Sequence, residues 1–254
     1  MKLLLLADSN SSHTIKWVRS LRENNFDIKI FTLYKPDYSL YKDFSDVLIS
    51  SLDLDEDLKF GRYNKISKFI YLEAIQKIKK LIKDFNPDIL HAHYVSSYGL
   101  LGALSGFHPY VLSVWGADIF DFPNISFLHK KMIKYNLSKA DRILSTSEIM
   151  KEETKKYTNK KIEVTPFGVD TKRFSPRKVE SLFSDNDIVI GTIKSLEKKY
   201  GIEYLIRAFD LVKKNNKNFS LKLLIVGKGT LEQQLKDLVQ ELDLTNDTIF
   251  TGFI

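Results

Sequence analysis

Two lysines and two glycines in the last quarter of the chain carry the clearest chemical signal. Lys194 and Lys199 sit in Gly191-Thr-Ile-Lys-Ser-Leu-Glu-Lys-Lys-Tyr-Gly201, a loop between an apolar run, 187–193, and an amphipathic run, 202–214. Cations beside the positive end of a helix dipole are disfavoured by about 0.3–1 kcal/mol each unless an anion lies between them. A diphosphate would suit that gap, and the plainer alternative is an exposed loop in a lysine-rich chain. Gly227-Lys-Gly229 follows a second apolar run, 221–226, and precedes Thr230, a good cap. Glycines at such a turn let a ligand approach the backbone closely.

A second set of candidates lies in the first half. His91 and His93 end the run Ile89-Leu-His-Ala-His93, and strand alternation points both to one face. His93, at the carboxyl end, is the better placed to meet a ligand, and His91 reads as structural. No third ligand follows at a metal-site spacing, so no metal is expected. Trp115-Gly-Ala-Asp118 follows the strand 109–114, and an aromatic, a glycine and a carboxylate there read as a site loop. The alternative is a core tryptophan with Asp118 capping the next segment. Ser12 and His13 open the first helix, above the carboxyl end of the first strand, where open α/β sheets bind ligands.

The elements that must position these residues alternate regularly. Leu3–Leu6 is an apolar run of the kind buried on both faces of a parallel sheet. Helix 13–23, with Ser11 or Ser12 as cap, and strand 26–33 complete a βαβ start, but its loop lacks the G-x-G-x-x-G dinucleotide fingerprint. Residues 34–62 read as irregular, with a short strand near 46–49. Helix 66–85 carries Ile70, Ala74, Ile78 and Leu81 on one face and lysines opposite, a solvated stripe with a membrane surface as the weaker alternative. Strand 89–93, small-residue helix 96–106, strand 109–114, basic helix 127–138, strand 140–145 and a helix capped by Thr146 or Ser147 follow. Helix 202–214 is expected to turn Leu205, Ala208, Phe209 and Val212 inward.

The pattern breaks at Lys161-Ile-Glu-Val-Thr-Pro-Phe-Gly-Val-Asp-Thr-Lys-Arg-Phe174. Pro166 stops a strand and Gly168 and Asp170 redirect the chain. Two parallel-sheet α/β domains are expected: 1–165, a linker over 166–185, and an incomplete second domain over 186–254. The 254 residues are 43% hydrophobic and 28% charged, ordinary for a globular protein, and contain no cysteine. Disulfides and thiolate metal sites are thereby excluded. No apolar run reaches the roughly 20 residues of a membrane span, and Met1–Ala7 reads as a strand, not a signal peptide. The net charge of +7 reads as a solvated basic surface, with weak attraction to an anionic membrane as the lesser expectation; no nucleic-acid module is recognisable.

Taken together, Asp88-Ile-Leu-His-Ala-His93, Ser113-Val-Trp-Gly-Ala-Asp118, Pro166–Phe174, Gly191–Gly201 with Tyr204-Leu-Ile-Arg-Ala-Phe209, and Val226-Gly-Lys-Gly229 resemble the group-1, family-4 retaining glycosyltransferases of GT-B architecture. The resemblance implies two Rossmann-like domains, the first binding an acceptor and the second a nucleotide sugar such as a UDP- or GDP-sugar. It implies transfer to a polysaccharide or glycolipid acceptor with retention of configuration, without metal or cofactor. It places Lys194, where arginine is usual, and Lys199 on the donor diphosphate, with Gly227 and Gly229 near the donor. Many relatives have a histidine where Trp115 stands near the reacting sugar, so Asp118 and His93 become the candidate catalytic groups. His13, Ser12 and Trp115 would line the acceptor cleft. The family's E-x7-E segment lies beyond Ile254, so this chain by itself is expected to be inactive. The setting implied is cytoplasmic, peripheral at the inner membrane face. Competing readings are a GT-B sugar-nucleotide epimerase and a non-catalytic module of the same fold.

Overall fold

The computed structural model describes residues 1–55, 68–172, 174–177 and 180–253, so the expected helix start at Ile66, Arg173 of the joint and Ile254 lie outside the described residues. The chain divides into two compact units, Met1–Asp170 and Thr171–Ile254.

Unit 1 is built on a seven-stranded sheet, β1 (Lys2–Leu6), β2 (Asp27–Tyr34), β3 (Leu48–Leu54), β4 (Ile89–His93), β5 (Tyr110–Val114), β6 (Arg142–Ser145) and β7 (Ile162–Val164). The strands are parallel and run in the order β3-β2-β1-β4-β5-β6-β7. Helices α1 (Ser12–Glu23), α2 (Lys68–Phe85), α3 (Ser97–Ser105), α4 (Ala117–Phe120, a single turn), α5 (Phe127–Lys139) and α6 (Glu148–Lys155) connect them. The leucine run of β1 has two buried faces. Leu3 and Leu5 join Val18 of α1 and Ile28 and Ile30 in one core. Leu4 and Leu6 join Ala74, Ile78, Leu101 and Ile133 in the other. α3 comes close to the sheet because Gly102 has no side chain. A Cβ there would lie 2.6 Å from the Tyr110 ring, whose hydroxyl donates to the Gly99 carbonyl at 2.9 Å.

The irregular stretch expected after β2 is more ordered than its composition suggests. A 3₁₀ helix spans Tyr38–Phe44, and β3 runs to Leu54 rather than ending near 49. Among the described residues β3 is the sheet's edge and pairs with β2 alone. An edge strand needs little apolar character, which is why Ser50, Ser51 and Asp53 hide it from a hydrophobicity reading.

Unit 2 holds β8 (Asp187–Ile193), β9 (Ser220–Val226) and β10 (Thr248–Gly252), parallel in the order β10-β9-β8, with α7 (Ile202–Asn215) and α8 (Glu232–Glu241). Its core gathers Leu196, Ile206, Phe209, Leu223, Ile225, Leu235 and Val239. α7 corrects the expected inward face. Ile202, Ile206 and Phe209 are buried, whereas Ala208 and Val212 are exposed. Two apolar stripes overlap on this helix, and the sheet selects the i, i+4, i+7 stripe that starts at Ile202.

Candidate functional site

In unit 1 the winding reverses between β1 and β4, and the crevice outside the carboxyl ends of those strands is where such sheets bind ligands. The loop leaving β1 has no glycine and is held by side chains instead. The Asn10 N–H donates to Asp8 Oδ1 at 3.1 Å, and the Tyr41 hydroxyl donates to the Ser9 carbonyl at 2.7 Å. The Asn10 amide donates to the Lys35 carbonyl at 3.0 Å and accepts from the Asp37 N–H at 2.8 Å. Ser11 occupies the N-cap of α1 without a side-chain cap bond, and no acidic residue lies in the first turn. Ser12 is exposed at the first helical position.

His13, in that first turn, stacks on Phe167 with centroids 4.0 Å apart and planes at 8°. Its ring also meets Trp115 edge-on at 5.6 Å. Beneath lies His93, 4.4 Å from the Trp115 ring, 5.6 Å from Trp17 and 4.5 Å from His91. The structure thus brings His13, His93 and Trp115 together at the switch point. Trp17 and Phe167 complete the cluster and were missed by sequence reasoning. Trp17 was findable, since it is four residues after His13 and shares its helix face. Phe167 was not, because only the turn after β7 brings it back.

His93 is 1% exposed, so it forms the floor of this cluster rather than the open, ligand-meeting group expected. Neither ring nitrogen has a hydrogen-bond partner among the described residues. Burial, with His91 and His13 nearby, holds its pKa well below the usual value. His91, also buried, pairs Nε2 with Ser113 Oγ at 2.8 Å, and burial pulls its pKa down to about 3. Both imidazoles are therefore neutral at pH 7. Among the described residues no group of three or more His, Asp or Glu side chains converges as a metal site would require.

Asp118 is fully buried, and its carboxylate accepts backbone N–H groups from two loops. Val95 donates at 2.7 Å, Gly116 at 2.7 Å and Trp115 at 3.2 Å. These bonds fasten the end of β4 to the end of β5 and leave the carboxylate facing backbone rather than solvent. Asp118 thus braces two loop backbones and does not cap the helix that follows, whose N-cap Gly116 has no side-chain cap. Gly116 adopts φ +143°, accessible to glycine, in reaching it. Burial outweighs the N–H donors and raises the Asp118 pKa to about 6.

Unit 2 places the lysine pair around one ring. Lys194 Nζ lies 4.4 Å from the centroid of Tyr200, and Lys199 Nζ lies 5.0 Å from it. Neither ammonium forms an ion pair among the described residues, although Lys199 lies within electrostatic reach of Glu197, and α7 starts at once after Gly201 with no side-chain cap and with Glu203 in its first turn. Tyr200 was the missed member. The Glu197 carboxylate accepts the Thr230 N–H at 3.0 Å and its hydroxyl at 2.8 Å, locking the lysine loop to the loop after β9. The two glycines act in this contact. A Cβ on Gly227 would fall 2.1 Å from the Lys194 carbonyl oxygen, and one on Gly229 would fall 2.4 Å from that of Leu196. The close approach that these glycines permit here is to the chain's own backbone.

Residues 2–147 match the Glycosyl transferase 4-like family, and residues 175–254 match Glycosyl transferases group 1. Among curated relatives, the alpha-monoglucosyldiacylglycerol synthase of Streptococcus pneumoniae is 24% identical over 97% of this chain and 58% of its own length. The putative teichuronic acid biosynthesis glycosyltransferase TuaC of Bacillus subtilis is 33% identical over 36% of this chain and 24% of its own. The chain thus spans less than two thirds of the curated relatives it matches. Anabaena HepE, in complex with UDP and glucose, superposes with a TM-score of 0.70 at 16% identity, covering 100% of this chain and 70% of that one. This likeness shows the GT-B fold.

Proposed function

Because this chain belongs to the Glycosyl transferase 4-like family, matched over residues 2–147, we propose that the protein transfers a sugar from a nucleotide-sugar donor to a polysaccharide or glycolipid acceptor. The observation that carries the reading is the pair Lys194 and Lys199 held on Tyr200 beside the start of α7. Two ammonium groups beside a helix start, neither in an ion pair among the described residues, form a seat for the leaving diphosphate. They would neutralise charge as it develops on the departing nucleotide, in the way that preorganised donors stabilise other anionic leaving groups. Retention of configuration, with the acceptor attacking the face from which the diphosphate leaves, and independence from metal belong to the same proposal.

The acceptor is assigned to the switch point of unit 1, where His13 and Trp115 are half-buried. His93 and Asp118 are assigned to positioning: His93 supports Trp115 from below, and Asp118 sets the loop that carries it. The complex of HepE with UDP and glucose supports a uridine nucleotide as the first donor to test. Calorimetry of UDP binding to the full-length protein tests the reading. Lys194→Ala and Lys199→Ala should each weaken binding ~10-fold or more, since a charge-assisted contact contributes about 1.5–3 kcal/mol. Unchanged affinity in both variants, for UDP and GDP alike, would remove the assignment.

A further inference from the structure

The solvent face of α5, Phe127–Lys139, carries none of the candidate site residues. Ile133, Asn136 and Leu137 are its buried residues. Helical spacing puts Phe127, Lys131, Lys134 and Tyr135 on the opposite side, with Leu128 at its margin. Phe127 is 68% exposed, Leu128 74% and Tyr135 40%. From Phe122 to Ala140 the sequence has four lysines, at 130, 131, 134 and 139, and no Asp or Glu.

Five lysines on other helices find a carboxylate one turn away. Lys80 pairs with Asp84, Lys151 with Glu148, Lys155 with Glu152, Lys214 with Asp210 and Lys236 with Glu232. Among the described residues the four lysines of α5 have no such partner. Three lie over aromatic rings instead: Lys131 over Phe127 at 4.6 Å, Lys139 over Tyr135 at 5.5 Å and Lys130 over Tyr157 at 5.9 Å. A face of this kind offers exposed apolar side chains and unneutralised charge together. A lipid surface meets both needs, with apolar carbon just below a layer of anionic headgroups.

We propose that α5 is a docking face for an anionic membrane surface. Phe127 and Leu128 enter the headgroup boundary, and Lys131 and Lys134 lie on the lipid phosphates. Phe127 and Leu128 stand side by side at the helix start, a protrusion that a fluid interface accepts without a matching pocket. An acidic protein would need such a pocket. The lysine stripe of α2 is the weaker alternative. Phe69 is 80% exposed there, but two of its lysines, Lys77 and Lys80, are engaged by Glu73 and Asp84, acids that α5 lacks.

This proposal stands whether or not the protein transfers sugar, and its test does not read activity. Full-length protein is floated with vesicles of phosphatidylcholine alone, or with phosphatidylglycerol added. Flotation is expected only with the anionic vesicles and should fall with added salt. Phe127→Ser with Leu128→Ser, and separately Lys131→Glu with Lys134→Glu, should each lower the bound fraction ~10-fold or more, given the gain per basic residue near such a surface. All four side chains are exposed, and circular dichroism checks that the variants fold. Equal flotation of the variants overturns the proposal. So does the absence of wild-type flotation, the result expected if α5 instead docks an acidic protein.

Discussion

At the scale of single residues, the imidazoles under Trp115 make a prediction about pH. The folded protein holds His91 at about 3 and His93 well below 6.5, whereas both bind protons near 6.5 when unfolded. Their contribution to stability is fully present above pH 6.5 and is lost as the pH falls below it. Asp118 acts in the opposite sense. Its carboxyl is raised from 3.8 to about 6, so it favours the fold at low pH and ceases to as pH rises through that window. Two imidazoles outweigh one carboxyl. Urea denaturation should therefore show stability falling between pH 6.5 and 5. Each net proton taken up on unfolding is worth about 1.4 kcal/mol per pH unit. His93→Gln should reduce that slope by about one proton, and an unchanged slope would mean that His93 is protonated in the fold. Tyr200 makes the second prediction at this scale. A cation–π contact at an exposed site contributes about 0.5–1 kcal/mol, and Tyr200 holds two. Tyr200→Leu should weaken UDP binding ~5-fold by calorimetry while Tyr200→Phe keeps it, provided the diphosphate seat is the one proposed.

At the scale of elements, the loops after β8 and β9 form one interlocked unit. The Leu196 N–H donates to the Lys228 carbonyl at 3.0 Å, and the Leu231 N–H donates to the Leu196 carbonyl at 3.0 Å. Gly229 cannot be enlarged without moving this backbone, because the atom in the way belongs to no side chain that could rotate aside. Gly229→Ala should lower stability by about 1–3 kcal/mol or more, read as a drop in the melting temperature of unit 2. The α6 cap is a simpler element. Ser147 Oγ accepts the Met150 N–H at 3.2 Å, as the sequence allows with Thr146 or Ser147. Ser147→Ala should cost about 1 kcal/mol in thermal or urea denaturation.

At the scale of the molecule, each unit encloses its own core. The clusters of unit 1 lie on the two faces of the seven-stranded sheet, and that of unit 2 gathers α7 and α8 on β8–β10. Truncating one core should act on the transition of that unit. By calorimetry, Leu5→Ala should shift the unfolding of unit 1 and Ile206→Ala that of unit 2, each by about 2–5 kcal/mol. No helix among the described residues is long and apolar enough to cross a membrane.

Local periodicity by itself determined the strands other than edge strand β3, most helix limits and the stop at Pro166, because alternation and 3.6-residue spacing are written in neighbouring residues. The H-x-H pair was legible for the same reason: His91 and His93 do share a face. What only the tertiary structure decided was depth and partnership. It sank His93 and Asp118 below the surface, turned Val212 outward, and joined Phe167 to His13 and Tyr200 to two lysines. Those outcomes depend on what lies across the sheet or across a turn, and side-chain spacing along one strand or helix carries no record of it.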